Sequence, residues 1–422
     1  DSRQSRGLGD VYKRQFLLIP IMGIRILLKS LSDKDYRSHF LNRLGIYKNS
    51  YHHKKVVWFH AVSLGEVISS KSIVDQILQK YTVTLSVSTP TGLREAKKLF
   101  GNKVEVVYAP WDFIFCVKGF FRSFDPIALI LFETEIWPSF IEVASSKKIP
   151  IILSNARMSK SSFNSYKVFR YFVKNIIQKI TIILAQSEEH KMRFSKLGAS
   201  LGKVKQVGSV KFDLNINFEN QSLKIKKKNL IFAASTHKGE DELIVDAFKK
   251  LKLELPDIRL VMAPRHPERA TNILKIVDSK GLPASIHSSM PDDLNTDEII
   301  IISATGLMKE IYSLSSVTLV GGSLLKNYGG HNIIEAAAEK CAFIVGPYMK
   351  NFEDVLAGFL KNGGCIQLNN DLEIFKAFKD LLTNDELRDD MVMKAVDVCI
   401  NNTGSTKKQY NTILETIREN TK

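Results

Sequence analysis

Residues 56 to 67 read VVWFHAVSLGEV: an apolar run, then a loop of small residues, then Glu66 where a helix can begin. A continuous apolar run of this kind is what a strand buried on both faces of a parallel sheet requires. A carboxylate just beyond its carboxyl end stands where open α/β sheets place ligands and chemistry. Glu66 is therefore a first candidate for a catalytic group. The plainer alternative is that it opens a helix and complements the helix dipole.

Working outward, apolar runs alternate with helical patterns. Strands are expected at 56–59, 82–87, 104–108, 127–132, 149–153, 181–185 and 204–207, with helices such as 93–100 and 163–180 between them. Residues 214–229, LNINFENQSLKIKKKN, lose that pattern and carry a lysine run, which marks a linker. The alternation restarts with strands expected at 230–234, 259–263, 298–302, 317–320 and 343–345, and 405–417 reads as a final helix that could pack back across the cleft between the two halves. The fold class is therefore α/β, with two Rossmann-like domains, 32–213 and 230–422, facing each other across a cleft. A chain of 422 residues fits two such domains of about 200 residues each.

The formal charge of +16 favours an anionic partner. Cys116, Cys341, Cys365 and Cys399 show neither zinc-ligand spacing nor a disulfide framework, so no metal site is expected and a reducing compartment is. Residues 1–15 lack an initiator Met and any periodicity and are expected to be a non-native scar. Residues 16–31 begin with FLLIPIMGIRILL, shorter than the roughly 20 residues of a spanning helix, and read as a truncated membrane anchor or an amphipathic surface helix.

Five polar clusters fall at predicted strand ends: HAVSLGE (60–66), FETEIWP (132–138), GSVKFD (208–213), APRHPER (263–269) and GGHNIIEAA (329–337). In the last, the glycines allow a close turn. Asn332 is expected to begin a helix whose free N–H groups hold a phosphate, and Glu335, one turn in, suits a ribose diol. A capped Gly-rich turn with a solvated Glu335 is the alternative. Arg265 suits a phosphate or base, or is a surface arginine. Glu133 and Glu135 share a face only if the strand continues through both; otherwise they are acids gathered ahead of a helix opening at Pro138.

Together with TPTG (89–92), SNARMS (154–159), ASTHKGE (234–240) and VGGSL (320–324), these clusters closely resemble the 3-deoxy-D-manno-octulosonic acid (Kdo) transferase family, in order over nearly everything after residue 40. The resemblance implies a glycosyltransferase B fold and transfer of Kdo from CMP-Kdo to a lipid A precursor, with no cofactor beyond that donor substrate. It implies Glu66 as general base, Glu133 and Lys211 as transition-state stabilisers, and CMP contacts from Pro264 and Arg265, from Thr305, Gly306 and Leu307, and from Asn332, Ile333, Ile334 and Glu335. Where the family usually has Gly-Glu, this chain has Gly306-Leu307, which puts a side-chain contribution there in question. The implied setting is an anionic membrane surface at the cytoplasmic face of the inner membrane, with no nucleic acid partner. The rivals are another nucleotide-sugar transferase or epimerase on the same fold, or a basic protein without catalysis.

Overall fold

The computed structural model describes residues 34–48, 55–213, 228–291 and 298–421. The expected scar at 1–15, the expected anchor or surface helix at 16–31 and all but the end of the expected 214–229 linker lie outside the described residues. The described residues divide into two compact units, one formed by those between 34 and 213 and from 403 to 421, the other by those between 228 and 402.

The first unit is built on seven strands: β1 (Val56–His60), β2 (Thr82–Val87), β3 (Glu105–Tyr108), β4 (Ala128–Phe132), β5 (Ile151–Ala156), β6 (Ile182–Ala185) and β7 (Val204–Gln206). They pair in parallel in the order β3-β2-β1-β4-β5-β6-β7. Every residue of β1 is buried. Val57 and Phe59 enter the core on one face of the sheet, and Val56 and Trp58 that on the other, as the two-residue side-chain period dictates. Beneath the sheet Trp58 stacks on Phe120 at 3.8 Å between ring centroids.

The second unit repeats the plan with β8 (Lys228–Thr236), β9 (Arg259–Pro264), β10 (Ala284–His287), β11 (Ile299–Ile302), β12 (Ser315–Val320), β13 (Ala342–Val345) and β14 (Ile366–Gln367). The order is β10-β11-β9-β8-β12-β13-β14, again all parallel. In the first sheet the chain builds outward on one side and then returns to the other; the second does the same, except that β11 inserts between β9 and the edge strand β10. The reversal falls between β1 and β4 in the first sheet and between β8 and β12 in the second. Loops leaving the carboxyl ends of those strands border a crevice, where such folds bind ligands.

The expected domain boundary needs correction at the C-terminus. The last helix, Ser405–Asn420, belongs to the first unit, not to a domain running from 230 to 422. Ile413 and Ile417 are fully buried in the core beside β1 and β2. Gln409, also fully buried, accepts hydrogen bonds from Ser154 Oγ and the Asn155 N–H, both at 2.8 Å, and donates to Gly208 O at 3.2 Å. The Asp213 carboxylate accepts from the Gly404 N–H at 2.7 Å and from the Thr406 N–H, covering the open donors of the helix start. A second correction concerns 163–180, expected as one helix: it is two, Lys160–Val168 and Arg170–Ile177, interrupted at Phe169.

Candidate active site

Glu66 occupies the third position of the helix Leu64–Ile77, which follows β1 and starts from Ser63. Its Oε1 accepts from Ser63 Oγ and its Oε2 from the Val62 N–H, both at 2.8 Å. The helix-opening role is thus real, and the carboxylate is held in one orientation by it. Burial, reinforced by the charges of Glu135 and Glu133, pushes the Glu66 carboxyl up to about 8.

Strand β4 stops at Phe132 because Glu133 turns into the left-handed region with φ 63°, donating its N–H to Ser154 O at 2.9 Å. Glu133 and Glu135 therefore do not continue a strand. Nor do they gather at a helix start: the helix Pro138–Ser146 is preceded by Trp137 and has no acid in its first turn. Instead Glu135 accepts from Trp137 Nε1, and burial raises its carboxyl too. Lys211, in the turn Val210–Asp213 after β7, brings its Nζ to 3.3 Å from Glu133 Oε1. Their side chains are 16% and 13% exposed, so the pair is largely withdrawn from solvent screening. Glu66, Glu133 and Lys211, expected together from the resemblance, are brought together here.

Three residues of this site escaped sequence reasoning. Glu135 was noticed only as half of a pair, yet its charge is the larger of the two that raise Glu66. Asn155, with φ 50°, accepts from the Val210 N–H at 3.2 Å and so fastens the Lys211 turn to the end of β5. It stands in SNARMS, the signal that could have found it. Gln409 holds Gly208, just ahead of that turn, from the final helix and carries no sequence signal at all. Elsewhere in this unit a concavity of about 900 Å³ is lined by residues of the 37–48 segment and by the edge strand β3, away from all four charged residues.

In the second unit, Pro264 ends β9 and the Arg265 N–H donates to Thr236 O at 3.0 Å, leaving an exposed guanidinium. Thr305, Gly306 and Leu307 follow β11 and lead into the helix Met308–Leu314, with Gly306 at φ 92°. Asn332 Oδ1 accepts from the Ile334 N–H at 3.1 Å, and its Nδ2 donates to Glu335 Oε1 at 2.9 Å. Ile333 and Ile334 are buried, so only their backbones are available to a ligand. The helix here is Ile334–Ala338, five residues preceded by Ile333, not a helix begun by Asn332. It is too short for the dipole expected to hold a phosphate. Crowding by surrounding protein raises the Glu335 carboxyl, while the Asn332 hydrogen bond and the Arg265 charge act the other way. A Lys309–Glu339 pair at 3.7 Å ties the helix after Leu307 to the end of the Glu335 helix. The three expected nucleotide segments thus occupy one edge of the sheet.

Residues 38–214 match the family described as 3-Deoxy-D-manno-octulosonic-acid transferase (kdotransferase). The 3-deoxy-D-manno-octulosonic acid transferase of Haemophilus influenzae is 30% identical over 401 residues, which cover 92% of this chain and 94% of that protein. Among solved structures, a glycosyltransferase from Rickettsia africae is similar with a TM-score of 0.54 at 14% identity, over 88% of this chain and 100% of that one. UDP-GlcNAc 2-epimerase from Neisseria meningitidis gives 0.55 at 14% identity, over 86% and 100%. Transferases and epimerases share this two-unit fold, so the fold leaves both classes open and the sequence relationship separates them. On that relationship the chain is a glycosyltransferase and belongs to the 3-deoxy-D-manno-octulosonic acid transferase family.

Proposed function

We propose that this protein transfers Kdo from CMP-Kdo to a hydroxyl of a lipid A precursor, lipid IVA, in lipopolysaccharide core biosynthesis, with Glu66 as general base. The observation that carries the proposal is the gathering of Glu66, Glu133, Glu135 and Lys211 at the switch point of the first sheet. A sugar hydroxyl is far too weak an acid to ionise near neutral pH, so its proton must pass to a base as the new bond forms. A carboxylate whose proton affinity has been raised by burial and by two like charges is a stronger base than a solvated one.

Attack by the hydroxyl on the anomeric carbon as CMP departs inverts that centre. Retention would need a carboxylate nucleophile on the opposite face. Glu133 is the obvious competitor, but it is engaged by Lys211 at 3.3 Å, which lowers its availability and favours inversion. The nucleotide belongs to the second unit, with Arg265 at the phosphate or base and Glu335 at the ribose. CMP leaves with less charge than a nucleoside diphosphate, so side-chain cations suffice and no metal is invoked.

The setting is the cytoplasmic face of the inner membrane. Among the described residues no helix is long and apolar enough to cross a membrane. The helix pair around Phe169 instead exposes Val168, Phe169, Tyr171 and Phe172 among Lys160, Lys167, Arg170 and Lys174. Apolar side chains ringed by cations suit an anionic lipid surface. Mass spectrometry of lipid IVA incubated with the protein and freshly generated CMP-Kdo tests the proposal. A product heavier by one or more Kdo residues is expected, and unchanged lipid in the presence of intact donor contradicts it.

A further inference from the structure

The switch point of the second sheet holds a histidine pair that the residues discussed so far leave without a role. His237 follows β8, and His331 lies between β12 and the helix Ile334–Ala338. Their Nε2 atoms are 2.8 Å apart. Two imidazole nitrogens at that distance share one proton, one ring donating and the other accepting. The rings lie 16° from parallel, and His237 stacks on Tyr328 with centroids 4.0 Å apart.

The backbone is shaped around the pair. Gly322 has φ 67°, and a Cβ there would stand 2.9 Å from the His331 ring and 3.5 Å from that of His237. Glu240, fully buried, accepts the N–H groups of His237, Gly322 and Leu324 at 2.9, 2.7 and 2.9 Å, tying the loops after β8 and β12 together.

The charges facing the pair are mostly positive. Arg265, His266 and Arg269 reach it from the segment after β9, and Lys238 adjoins His237. The nearby acids are already engaged: Asp241 by Arg269, Glu240 by three backbone N–H groups, and Glu335 by Asn332. Burial first, then these neighbours, hold both imidazoles down at about 4. Near neutral pH the pair is uncharged among cations, a setting short of negative charge.

We propose that His237 and His331 form the phosphate site of the nucleotide, and that phosphate binding adds a second proton to the pair. This rests on the assignment of the second unit to CMP. The proton comes from solvent to the accepting Nε2, the Nε2···Nε2 bond opens, and both Nε2–H groups donate to phosphate oxygens. No covalent bond other than N–H is made. A phosphate monoester carries nearly two charges near neutral pH, its second pKa being about 6, whereas the diester of an intact sugar nucleotide carries one. The pair therefore favours the departing nucleotide over the donor, the direction in which charge develops.

Calorimetry of the native protein with CMP and with cytidine, at about pH 7.5 in buffers of different ionisation enthalpy, counts the protons taken up. Roughly one proton per CMP and none with cytidine is expected, because a site held far below neutrality must be raised above it by the dianion. His331→Gln and His237→Gln each abolish the uptake and weaken CMP about tenfold, while cytidine affinity stays within about twofold. Tight CMP binding without proton uptake by the native protein overturns the inference and leaves the nucleotide assignment standing. Uptake retained in both variants places the proton on the phosphate and also overturns it. No binding of CMP at all overturns the nucleotide assignment itself.

Discussion

Lys211 Nζ lies 3.3 Å from Glu133 Oε1, joining the turn after β7 to the left-handed residue that ends β4. Both side chains are mostly shielded, so removing Lys211 leaves the Glu133 carboxylate without its cation. Lys211→Ala is expected to lower stability by about 1–3 kcal/mol, and Glu133→Gln in the same chain to recover part of that loss. Turnover falls in both variants. Urea unfolding beside a transfer assay separates the two effects, and a Lys211→Ala variant of native stability and activity would remove the pair from the site.

The raised proton affinity of Glu66 fixes the sign of the pH dependence. A base must be ionised to act, and this carboxyl ionises only as pH passes about 8. The rate under kcat/KM conditions should therefore climb with pH toward about 8 and level off above it. Glu135→Gln removes the larger of the two charges that reinforce burial, so the climb should move to lower pH. A profile that does not shift in Glu135→Gln would show that Glu135 does not tune the base.

In the second unit, Arg265→Ala and Glu335→Ala each remove a proposed charge-assisted contact to CMP, expected to cost roughly 1.5–3 kcal/mol of binding apiece. Calorimetry with CMP reads this directly. Unchanged affinity in both would move the nucleotide away from the edge formed after β9 and β12.

Gln409 holds Ser154, Asn155 and Gly208 from a helix that follows the whole second unit in sequence. Gln409→Ala leaves buried partners unsatisfied and should cost about 1–3 kcal/mol. Limited proteolysis should show the first unit, not the second, becoming the more susceptible. The reverse order would contradict the placement of the last helix.

The central strands were legible because a strand buried on both faces has to be written as an apolar run. The run 82–87 coincides with β2, and the runs for β1 and β4 differ from the structure by one residue at an end. β10 and β14 were not legible: Ala284–His287 is only partly buried and Ile366–Gln367 has two residues, so neither leaves an apolar signature. The break at Phe169 has no Pro or Gly to announce it. Glu66 offered two readings, helix opener and catalytic carboxylate; the structure shows the first, and the bonds that cap the helix hold the carboxylate in one orientation, which is compatible with the second. The histidine pair and Gln409 depend on contacts between residues far apart in the chain. No local pattern encodes such contacts.

Glu66→Gln is the most direct test of the central claim. The amide keeps the size of the side chain; its one oxygen can still accept from the Val62 N–H while its NH2 donates to Ser63 Oγ, so the helix start should survive, but it cannot take a proton from the acceptor. Measured by single-turnover transfer of Kdo to lipid IVA, the rate is expected to fall about a hundredfold or more with CMP affinity unchanged. A folded Glu66→Gln protein that transfers Kdo at the native rate would contradict the assignment of Glu66 as the base.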